Sequence, residues 1–212
     1  MMNFFLLILI SSYALCCEFG YMEIGGDCYF SKDIKFLKTL IDNSQGGKKS
    51  PDANLSPIDL GWQYWENGRL VEFCSSTSTN TECKMNYALS GSFPVEIGAV
   101  SELRILSLES NKISGSLPAE IGKLNKLEEL SLSSNNLNGQ IPKGIGKMAS
   151  LKTLALKGNN FSGNLPLELV DLKNMEWMYL SSNKLSGEIP SGIGNLLKMK
   201  YLNFSNNSFS GD

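Results

Sequence analysis

The chain contains no histidine among its 212 residues. Histidine is the side chain that most often serves as a general base or a metal ligand at neutral pH, so its absence removes the usual centre of a catalytic or metal site. Serine is plentiful but has no base to activate it, and the adjacent acids Glu128 and Glu129 would point to opposite faces of a strand. The sequence therefore predicts a protein that is not an enzyme, with no catalytic residue, no metal ion and no cofactor.

The chain also lacks a large net charge of either sign. The formal net charge is −2, from 19 basic and 21 acidic residues. A protein that binds nucleic acid usually carries a basic field, which this composition does not provide. The sequence therefore predicts no nucleic-acid partner.

Long apolar runs are absent except at the N-terminus, where Phe4 to Leu15 is almost wholly apolar. The run is short for a membrane span and ends in Ala14-Leu15-Cys16, a tolerable cleavage site. It predicts a signal peptide over residues 1–16 and a secreted or cell-surface protein. The alternative is an uncleaved membrane anchor, because no lysine or arginine precedes the run. Otherwise, membrane attachment would need a segment that this chain does not contain.

A repeat of 24 residues dominates the chain from about residue 79 to residue 212. Leucine or methionine opens five successive blocks, at Leu103, Leu127, Leu151, Met175 and Met199. One asparagine returns in each block, at Asn111, Asn135, Asn159, Asn183 and Asn207. A fixed period of about 20 to 50 residues is typical of a solenoid, in which each repeat stacks only on its neighbours. Such a stack offers a long exposed surface rather than an enclosed active site.

The blocks follow the pattern L-x-x-L-x-L-x-x-N-x-L-S-G-x-[IL]-P-x-x-[IL]-G-x-L, as in Leu127 to Met148. This pattern resembles the plant-type extracellular leucine-rich repeat of receptor-like proteins, receptor kinase ectodomains and secreted inhibitors of wall-degrading enzymes. The resemblance covers roughly the last two thirds of the chain. It implies an α/β solenoid, a horseshoe with a parallel concave β-sheet, preceded by an N-terminal cap.

Each block predicts the same local structure. The alternating pair Leu130 and Leu132 indicates a strand whose leucines face the core, while the residues between them face solvent. Ser131, Ser133 and Ser181 are therefore predicted to be exposed. The block asparagines turn the chain out of the strand. Their side-chain amides are expected to bond backbone groups of the turn and of the neighbouring repeat, forming a structural ladder.

Residues 17–78 are predicted to form an N-terminal capping region, because an uncapped solenoid exposes the end of its apolar core. Ser31 to Asn43 predicts one amphipathic helix with Ser31 as its N-cap. Asn67-Gly68 lies between two β-prone runs and predicts a tight hairpin. The repeats occupy residues 79–212, about five and a half copies. Because the last copy is incomplete, we expect the natural protein to be longer.

The five cysteines all lie outside the regular repeats. Cleavage after Cys16 would leave four, which allow three pairings. Short separations are easy to close, and they resemble the paired cysteines that precede such repeats. This resemblance implies disulfides between Cys17 and Cys28 and between Cys74 and Cys83.

Four Asn-x-Ser sequons are candidate glycosylation sites in a secreted protein: Asn54, Asn160, Asn203 and Asn206. Pro57 follows closely behind Asn54, and the last two sequons are too close together for both to be used easily.

The candidate ligand-binding residues are the exposed strand positions of the last repeats: Lys152, Glu176, Trp177, Tyr179, Lys200 and Tyr201. Trp177 and Tyr201 occupy the same position in adjacent strands, so their backbones should lie about 5 Å apart. Exposed tyrosine and tryptophan dominate binding hot spots and also stack on sugar rings. Alternatively, these aromatic side chains pack on one another and stiffen the sheet, or face further repeats. A glycan on Asn203 would block this surface.

The sequence therefore predicts an extracellular recognition module that binds a protein or peptide ligand on its concave face, either as a receptor-like ectodomain or as a free secreted binder. One alternative is a secreted inhibitor of a wall-degrading enzyme. The other is a structural protein that adheres to cell-wall polysaccharide or matrix.

Overall fold

The computed structural model describes residues 20–47, 49–76 and 87–211. The predicted signal peptide, Cys17 and Cys83 lie outside the described residues. Within the described ranges the chain forms one α-helix, fifteen short strands and six 3-10 turns. The predicted boundary between the capping region and the repeats, at residue 79, also lies outside them and stays a prediction.

The described chain begins with an antiparallel pair of strands, β1 (Tyr21–Ile24) and β2 (Asp27–Phe30), followed directly by helix α1 (Ser31–Asn43). The helix has the bounds that the sequence predicted, and its apolar face is buried. The predicted N-cap is wrong. Because β2 runs straight into the helix, Phe30 occupies the cap position in an extended conformation without a side-chain cap hydrogen bond, and Ser31 is the first helical residue.

A buried ion pair ties α1 to the segment that follows it. The fully buried Asp33 carboxylate accepts hydrogen bonds from Nε of Arg69 at 2.9 Å and from the backbone N–H of Leu70 at 2.9 Å. The Arg69 guanidinium carbon also lies 4.2 Å from the centre of the Phe30 ring. A buried carboxylate is tolerated only when it is paired and hydrogen-bonded, so these contacts fix α1 at one orientation.

The predicted hairpin is formed by β3 (Trp62–Glu66) and β4 (Arg69–Cys74). Its two turn residues, Asn67 and Gly68, have φ values of 50° and 71°. Positive φ at both positions is what a type I′ turn requires. Strand β4 then pairs in parallel with the first strand of the repeats, so the hairpin extends the repeat sheet.

One short strand per repeat continues this sheet. These strands are β6 (Ile105–Ser107), β8 (Glu129–Ser131), β10 (Thr153–Ala155), β12 (Trp177–Tyr179) and β14 (Tyr201–Asn203). With β3 and β4 they form a seven-stranded sheet, hereafter the concave sheet, in which only β3 is antiparallel to its neighbour. Leu106, Leu130 and Leu154 lie side by side. This register confirms the predicted solenoid with its parallel sheet.

A second parallel sheet, which the sequence did not predict, flanks the first. Its six strands are β5 (Ser90–Ser92), β7 (Lys112–Ser116), β9 (Asn136–Gly139), β11 (Asn160–Asn164), β13 (Lys184–Glu188) and β15 (Ser208–Ser210). Strands β7, β9, β11 and β13 each contain one fully buried apolar residue, such as Leu137 in β9. That is too little alternation to indicate a strand from sequence alone.

Each repeat returns to the next one through a 3-10 turn that starts directly after a proline. These turns are Val95–Ala99, Ala119–Lys123, Lys143–Lys147, Leu167–Asp171 and Ser191–Asn195; a further one, Pro57–Asp59, precedes the hairpin. One residue of each repeat turn, such as Ile121 or Leu169, is buried against the strand leucines. The apolar core therefore lies between the concave sheet and the turns.

The predicted asparagine ladder is present, and Asn135 shows its geometry. Its Nδ2 donates to the carbonyl oxygen of Leu132 at 3.1 Å and to that of Leu108, in the preceding repeat, at 2.8 Å. Its Oδ1 accepts from the backbone N–H of Ile113 at 3.0 Å. The other ladder asparagines repeat this role: Asn111, Asn159, Asn183 and Asn207.

Cys28 and Cys74 are each disulfide-bonded. They do not pair with each other, because Cys28 contacts Gly68 at one end of β4 while Cys74 is the last residue at the other end. The intervening strand spans about 20 Å, whereas bridged Cα atoms lie within about 7 Å. The predicted partners Cys17 and Cys83 lie outside the described residues, so the pairing stays a prediction.

Candidate functional site: the concave sheet

The concave sheet presents two alternating sets of side chains. Leu130 and Leu132 are fully buried in the core, so Glu129, Ser131 and Ser133 point to the opposite face. The same alternation applies to every repeat strand because the register advances by one whole repeat from strand to strand. Equivalent residues therefore form rows that run across the strands.

The three predicted aromatic residues form one cluster, hereafter the aromatic cluster (Trp177, Tyr179 and Tyr201). Trp177 and Tyr201 are register partners, as predicted, and their rings stack with centroids 6.3 Å apart and an interplanar angle of 29°. The rings of Tyr179 and Tyr201 are 5.0 Å apart. Trp177 is 37% exposed and Tyr201 is 42% exposed. The three side chains thus pack on one another and still offer two aromatic surfaces to solvent.

The three predicted charged residues belong to a row in which the sign alternates from repeat to repeat: Arg104, Glu128, Lys152, Glu176 and Lys200. Glu128 bridges two cations, with Lys152 Nζ at 2.6 Å and Arg104 Nη2 at 2.9 Å. Hydrogen bonds from Lys152 and then Arg104 lower the pKa of the Glu128 carboxyl. Lys200 Nζ lies 2.6 Å from Glu176 and lowers the pKa of that carboxyl in the same way.

The charged row also links neighbouring repeats through ion pairs. Lys152 pairs with Glu128 and Lys200 pairs with Glu176, and the side chains of both pairs are partly exposed. Exposed ion pairs contribute only about 0–1 kcal/mol each. Their proposed contact with a ligand stays a prediction, in which they would border the aromatic cluster.

The predicted exposure of the strand serines is wrong. Ser131 is 7% exposed, Ser133 is 6% exposed and Ser181 is 3% exposed. Parallel strands lie only about 4.8 Å apart, so a small side chain is screened by larger neighbours in the adjoining rows. The serines therefore form the floor of the concave face, and the longer side chains stand around them.

A family model for the leucine-rich repeat region matches residues 103–210, which are 108 of the 212 residues. The chain belongs to the leucine-rich repeat family. No curated protein matches it.

Several solved structures similar to this leucine-rich repeat chain are ectodomains of plant receptor kinases. One is the GASSHO1/SCHENGEN3 ectodomain from Arabidopsis thaliana, solved in complex with Casparian strip integrity factor 2. It is 27% identical with a TM-score of 0.71, and the match covers 84% of this chain and 21% of that ectodomain. Another is the Arabidopsis HAESA ectodomain, solved with a peptide hormone ligand. It is 40% identical with a TM-score of 0.57, and the match covers 59% of this chain and 21% of that ectodomain. The chain thus spans about a fifth of either ectodomain.

A third structure has a length similar to that of this chain. The ectodomain of the receptor kinase SOBIR1 from Arabidopsis thaliana is 24% identical with a TM-score of 0.68, over 86% of this chain and 98% of its own. At that identity the likeness shows the fold alone. These neighbours confirm the resemblance to plant-type extracellular leucine-rich repeats.

Sequence reasoning missed an acidic group on the concave face of this leucine-rich repeat sheet, hereafter the acidic cluster (Glu72, Glu109 and Glu129). Glu72 and Glu129 are both register partners of Ile105, from the strands on either side of it. Burial raises the pKa of the Glu129 carboxyl, and repulsion from Glu109 and then Glu72 raises it further. The 24-residue period could have predicted that Glu109 lies near Glu129. It could not have placed Glu72, because Glu72 lies in the hairpin outside the repeats.

One of the predicted sequons, Asn203, contacts the aromatic cluster. Asn203 Nδ2 donates to Tyr201 Oη at 3.3 Å, and its Oδ1 accepts from the N–H and the hydroxyl of Ser205 at 3.0 and 2.8 Å. A glycan on Asn203 would displace the first of these bonds. Asn206 and Asn54 are exposed, and Asn160 is half-buried in β11. Glycosylation at all four asparagines stays a prediction.

The described residues contain no group of three or more histidine, cysteine or acidic residues that could hold a metal ion. No helix in the described ranges is long and apolar enough to cross a membrane.

Proposed function

We propose that this protein is an extracellular recognition module that binds an extended peptide, or an extended segment of a protein, across its concave sheet. The observation that carries the proposal is the aromatic cluster, in which Trp177 and Tyr201 stack and each keeps more than a third of its surface exposed. Large aromatic side chains that are already ordered bury much area at little entropic cost when a ligand covers them.

The surroundings of the cluster suit an extended ligand. The concave sheet is continuous over seven short strands. The small serine side chains leave a shallow surface beside the aromatic rings, on which an extended chain could lie. Among the similar structures, HAESA contains a peptide hormone and GASSHO1/SCHENGEN3 contains Casparian strip integrity factor 2. These ligands belong to those proteins, but they support a peptide or protein as the class of partner for this chain.

Extracellular location is part of the proposal. The apolar N-terminal run, the disulfide-bonded Cys28 and Cys74, and the similarity to ectodomains all support export from the cytosol. The protein would act by binding alone, without catalysis. Inhibition of a wall-degrading enzyme and adhesion to wall polysaccharide stay predictions.

The test is a double substitution, Trp177→Ala with Tyr201→Ala. Peptides that bind the full chain would first be selected from a displayed library of random linear dodecamers, and their affinities measured for both proteins. We expect the double variant to lose at least about a hundredfold in affinity, because aromatic hot-spot residues contribute about 2 kcal/mol or more each. Circular dichroism and the melting temperature should change little, since both side chains are largely outside the core.

The matched control is Leu197→Ala. Leu197 is an exposed apolar residue of the same repeat as Trp177, but it follows the 3-10 turn Ser191–Asn195, away from the concave face. It should leave peptide affinity unchanged. Full retention of binding by the double variant would assign the aromatic cluster to sheet packing and refute the proposal.

A further inference from the structure

We propose that Trp62 and Tyr64 of the hairpin, hereafter the hairpin pair, form a second anchor for the extended peptide that the aromatic cluster binds. The hairpin pair would contact one apolar or aromatic side chain of the ligand, and the aromatic cluster would contact another about eight positions away. This inference rests on the proposed peptide-binding function and specifies the length and the side chains of the ligand.

The hairpin pair lies on the concave face of the sheet. Gln63, which lies between the two aromatic residues in β3, is the register partner of Phe73, and Phe73 is fully buried in the core. Register partners point to the same face of a sheet and successive residues alternate, so Trp62 and Tyr64 face away from the core. The β-bulge of this hairpin follows Tyr64 and leaves the alternation intact. Trp62 is 43% exposed and Tyr64 is 48% exposed.

The hairpin pair and the aromatic cluster occupy opposite ends of the same two rows of side chains. The first row runs from Tyr64 through Glu72, Ile105, Glu129 and Thr153 to Trp177. The second row runs from Trp62 through Cys74, Ser107, Ser131 and Ala155 to Tyr179. A peptide that lies along these rows therefore meets exposed aromatic rings at both ends.

Small side chains occupy the second row between its aromatic ends. Ser131 is buried, and Ser107 and Ala155 are half-buried. The backbone of an extended peptide can approach the sheet closely over these residues, while its larger side chains reach the rings at either end. Tryptophan and tyrosine are the residues that most often contribute strongly to binding, so the two ends rather than the middle should hold the ligand.

The spacing of the strands fixes the separation of the two anchors. Five steps from strand to strand separate Tyr64 from Trp177, and a sixth reaches Tyr201. At about 4.8 Å per step, the aromatic cluster begins about 24 Å from Tyr64 and ends about 29 Å from it. An extended peptide rises about 3.3 Å per residue, so eight positions span about 26 Å. An even number of positions also puts both ligand side chains on the same side of the extended chain, facing the sheet.

The carboxylates between the anchors indicate the charge of the ligand. Glu72 and Glu129 belong to the first row, which contains no lysine or arginine. Among the described residues, no cation forms a salt bridge with either of them. The charged row beside them pairs its own opposite charges, as Glu128 does with Arg104 and Lys152. The expected ligand therefore carries basic rather than acidic residues between its two anchoring side chains.

The test compares two synthetic peptides, so that it does not depend on knowing the natural ligand. Both are acetylated nonapeptide amides that contain two tryptophans, two lysines and five threonines. The first has tryptophan at its first and ninth positions and lysine at its third and fifth. The second has tryptophan at its third and seventh positions and lysine at its first and fifth. In both peptides these side chains share one side of an extended chain, so the two differ mainly in the distance between the tryptophans.

Isothermal titration calorimetry on the full chain would measure both affinities. We expect the first peptide to bind at least about tenfold more tightly, because it alone reaches both anchors at once. Trp62→Ala with Tyr64→Ala should remove this advantage, so that the two peptides bind the double variant within about twofold of each other. Circular dichroism checks that the double variant folds, and the comparison on the unsubstituted chain depends on no variant.

The matched control is Val95→Ala. Val95 is an exposed apolar residue that begins the 3-10 turn Val95–Ala99, on the side opposite the concave sheet. The advantage of the first peptide should be unchanged in this variant.

Equal affinity of the two peptides for the full chain, or no binding of either, would overturn the second anchor. An advantage of the first peptide that survives in the variant without the hairpin pair would overturn it as well. The proposed function fails through a different result, namely retention of binding of the selected dodecamers after substitution of Trp177 and Tyr201. The two failures are therefore distinguishable.

Discussion

At the scale of single residues, the ladder asparagines act as hydrogen-bond donors and acceptors to the backbone at once. Each amide donates through Nδ2 and accepts through Oδ1, so one side chain satisfies both kinds of backbone group in two adjoining repeats. The residue before each ladder asparagine in the first two repeats, Ser110 or Ser134, has a left-handed backbone with φ of 58° or 56°. This sharp turn leaves the neighbouring groups without regular partners, and the amide supplies them.

The ladder leads to a prediction for Asn135→Ala. The substitution leaves the N–H of Ile113 buried without its acceptor, whereas the carbonyl of Leu108 keeps a hydrogen bond from Asn111 Nδ2 at 3.1 Å. One buried group without a partner costs about 1–3 kcal/mol, so the free energy of unfolding should fall by about that amount. Urea unfolding followed by circular dichroism measures the change. The adjacent Asn136→Ala is the matched control, because Asn136 is exposed; an equal loss in both variants would contradict the role given to the ladder.

At the scale of elements, the 3-10 turns pack against one another more closely than most side chains would permit. A Cβ atom added to Gly122 would overlap the carbonyl oxygen of Gly144 in the next turn, and one added to Gly146 would overlap that of Glu168. Glycine at this position therefore sets the approach of successive repeats on the side opposite the concave sheet. The backbone oxygens cannot move aside without displacing a whole turn.

This close approach predicts opposite outcomes for the same substitution at two equivalent turn positions. Gly122→Ala should destabilise the protein by about 1–3 kcal/mol through overpacking. Gly194→Ala should be neutral or stabilise it by up to about 1 kcal/mol, because a Cβ there meets no atom within 4 Å and the unfolded chain loses freedom. Thermal unfolding of both variants measures the difference. A matching loss of stability at Gly194 would show that turn propensity, rather than contact between turns, decides the result.

At the scale of the whole molecule, the repeat period made most of the fold and part of the site predictable. A period of 24 residues fixes which side chains become neighbours, so the position of Trp177 beside Tyr201 in the adjacent strand followed from the period alone. The burial of Ser131 was not predictable in this way, since it depends on the size of side chains in adjoining rows. The position of Glu72 was not predictable either, because the hairpin that carries it lies outside the period.

The stacked architecture also predicts how stability is distributed along the molecule. Each repeat contacts only its neighbours, so local opening should be easiest where a strand has fewest partners. Among the described strands β14 pairs with β12 alone, and Leu202 on it is 38% exposed. The N–H of Leu180 donates to the carbonyl of Asn203 on β14 at 2.9 Å, and the N–H of Leu132 donates to the carbonyl of Ala155 at 2.8 Å. The N–H of Leu180 should therefore be less protected from hydrogen exchange than that of Leu132.

Native-state hydrogen exchange, corrected for intrinsic rates, tests this gradient on three equivalent amides. We expect exchange to be slowest at Leu132, intermediate at Leu156 and fastest at Leu180, with at least about tenfold between the first and last. The N–H of Leu156 donates to Tyr179 at 2.8 Å, so all three hydrogen bonds have nearly the same geometry and differ mainly in their position along the stack. Equal protection at the three amides would mean that the repeats open only together. In that case a ligand on the aromatic cluster could not slow exchange at Leu180 without slowing it equally at Leu132 and Leu156.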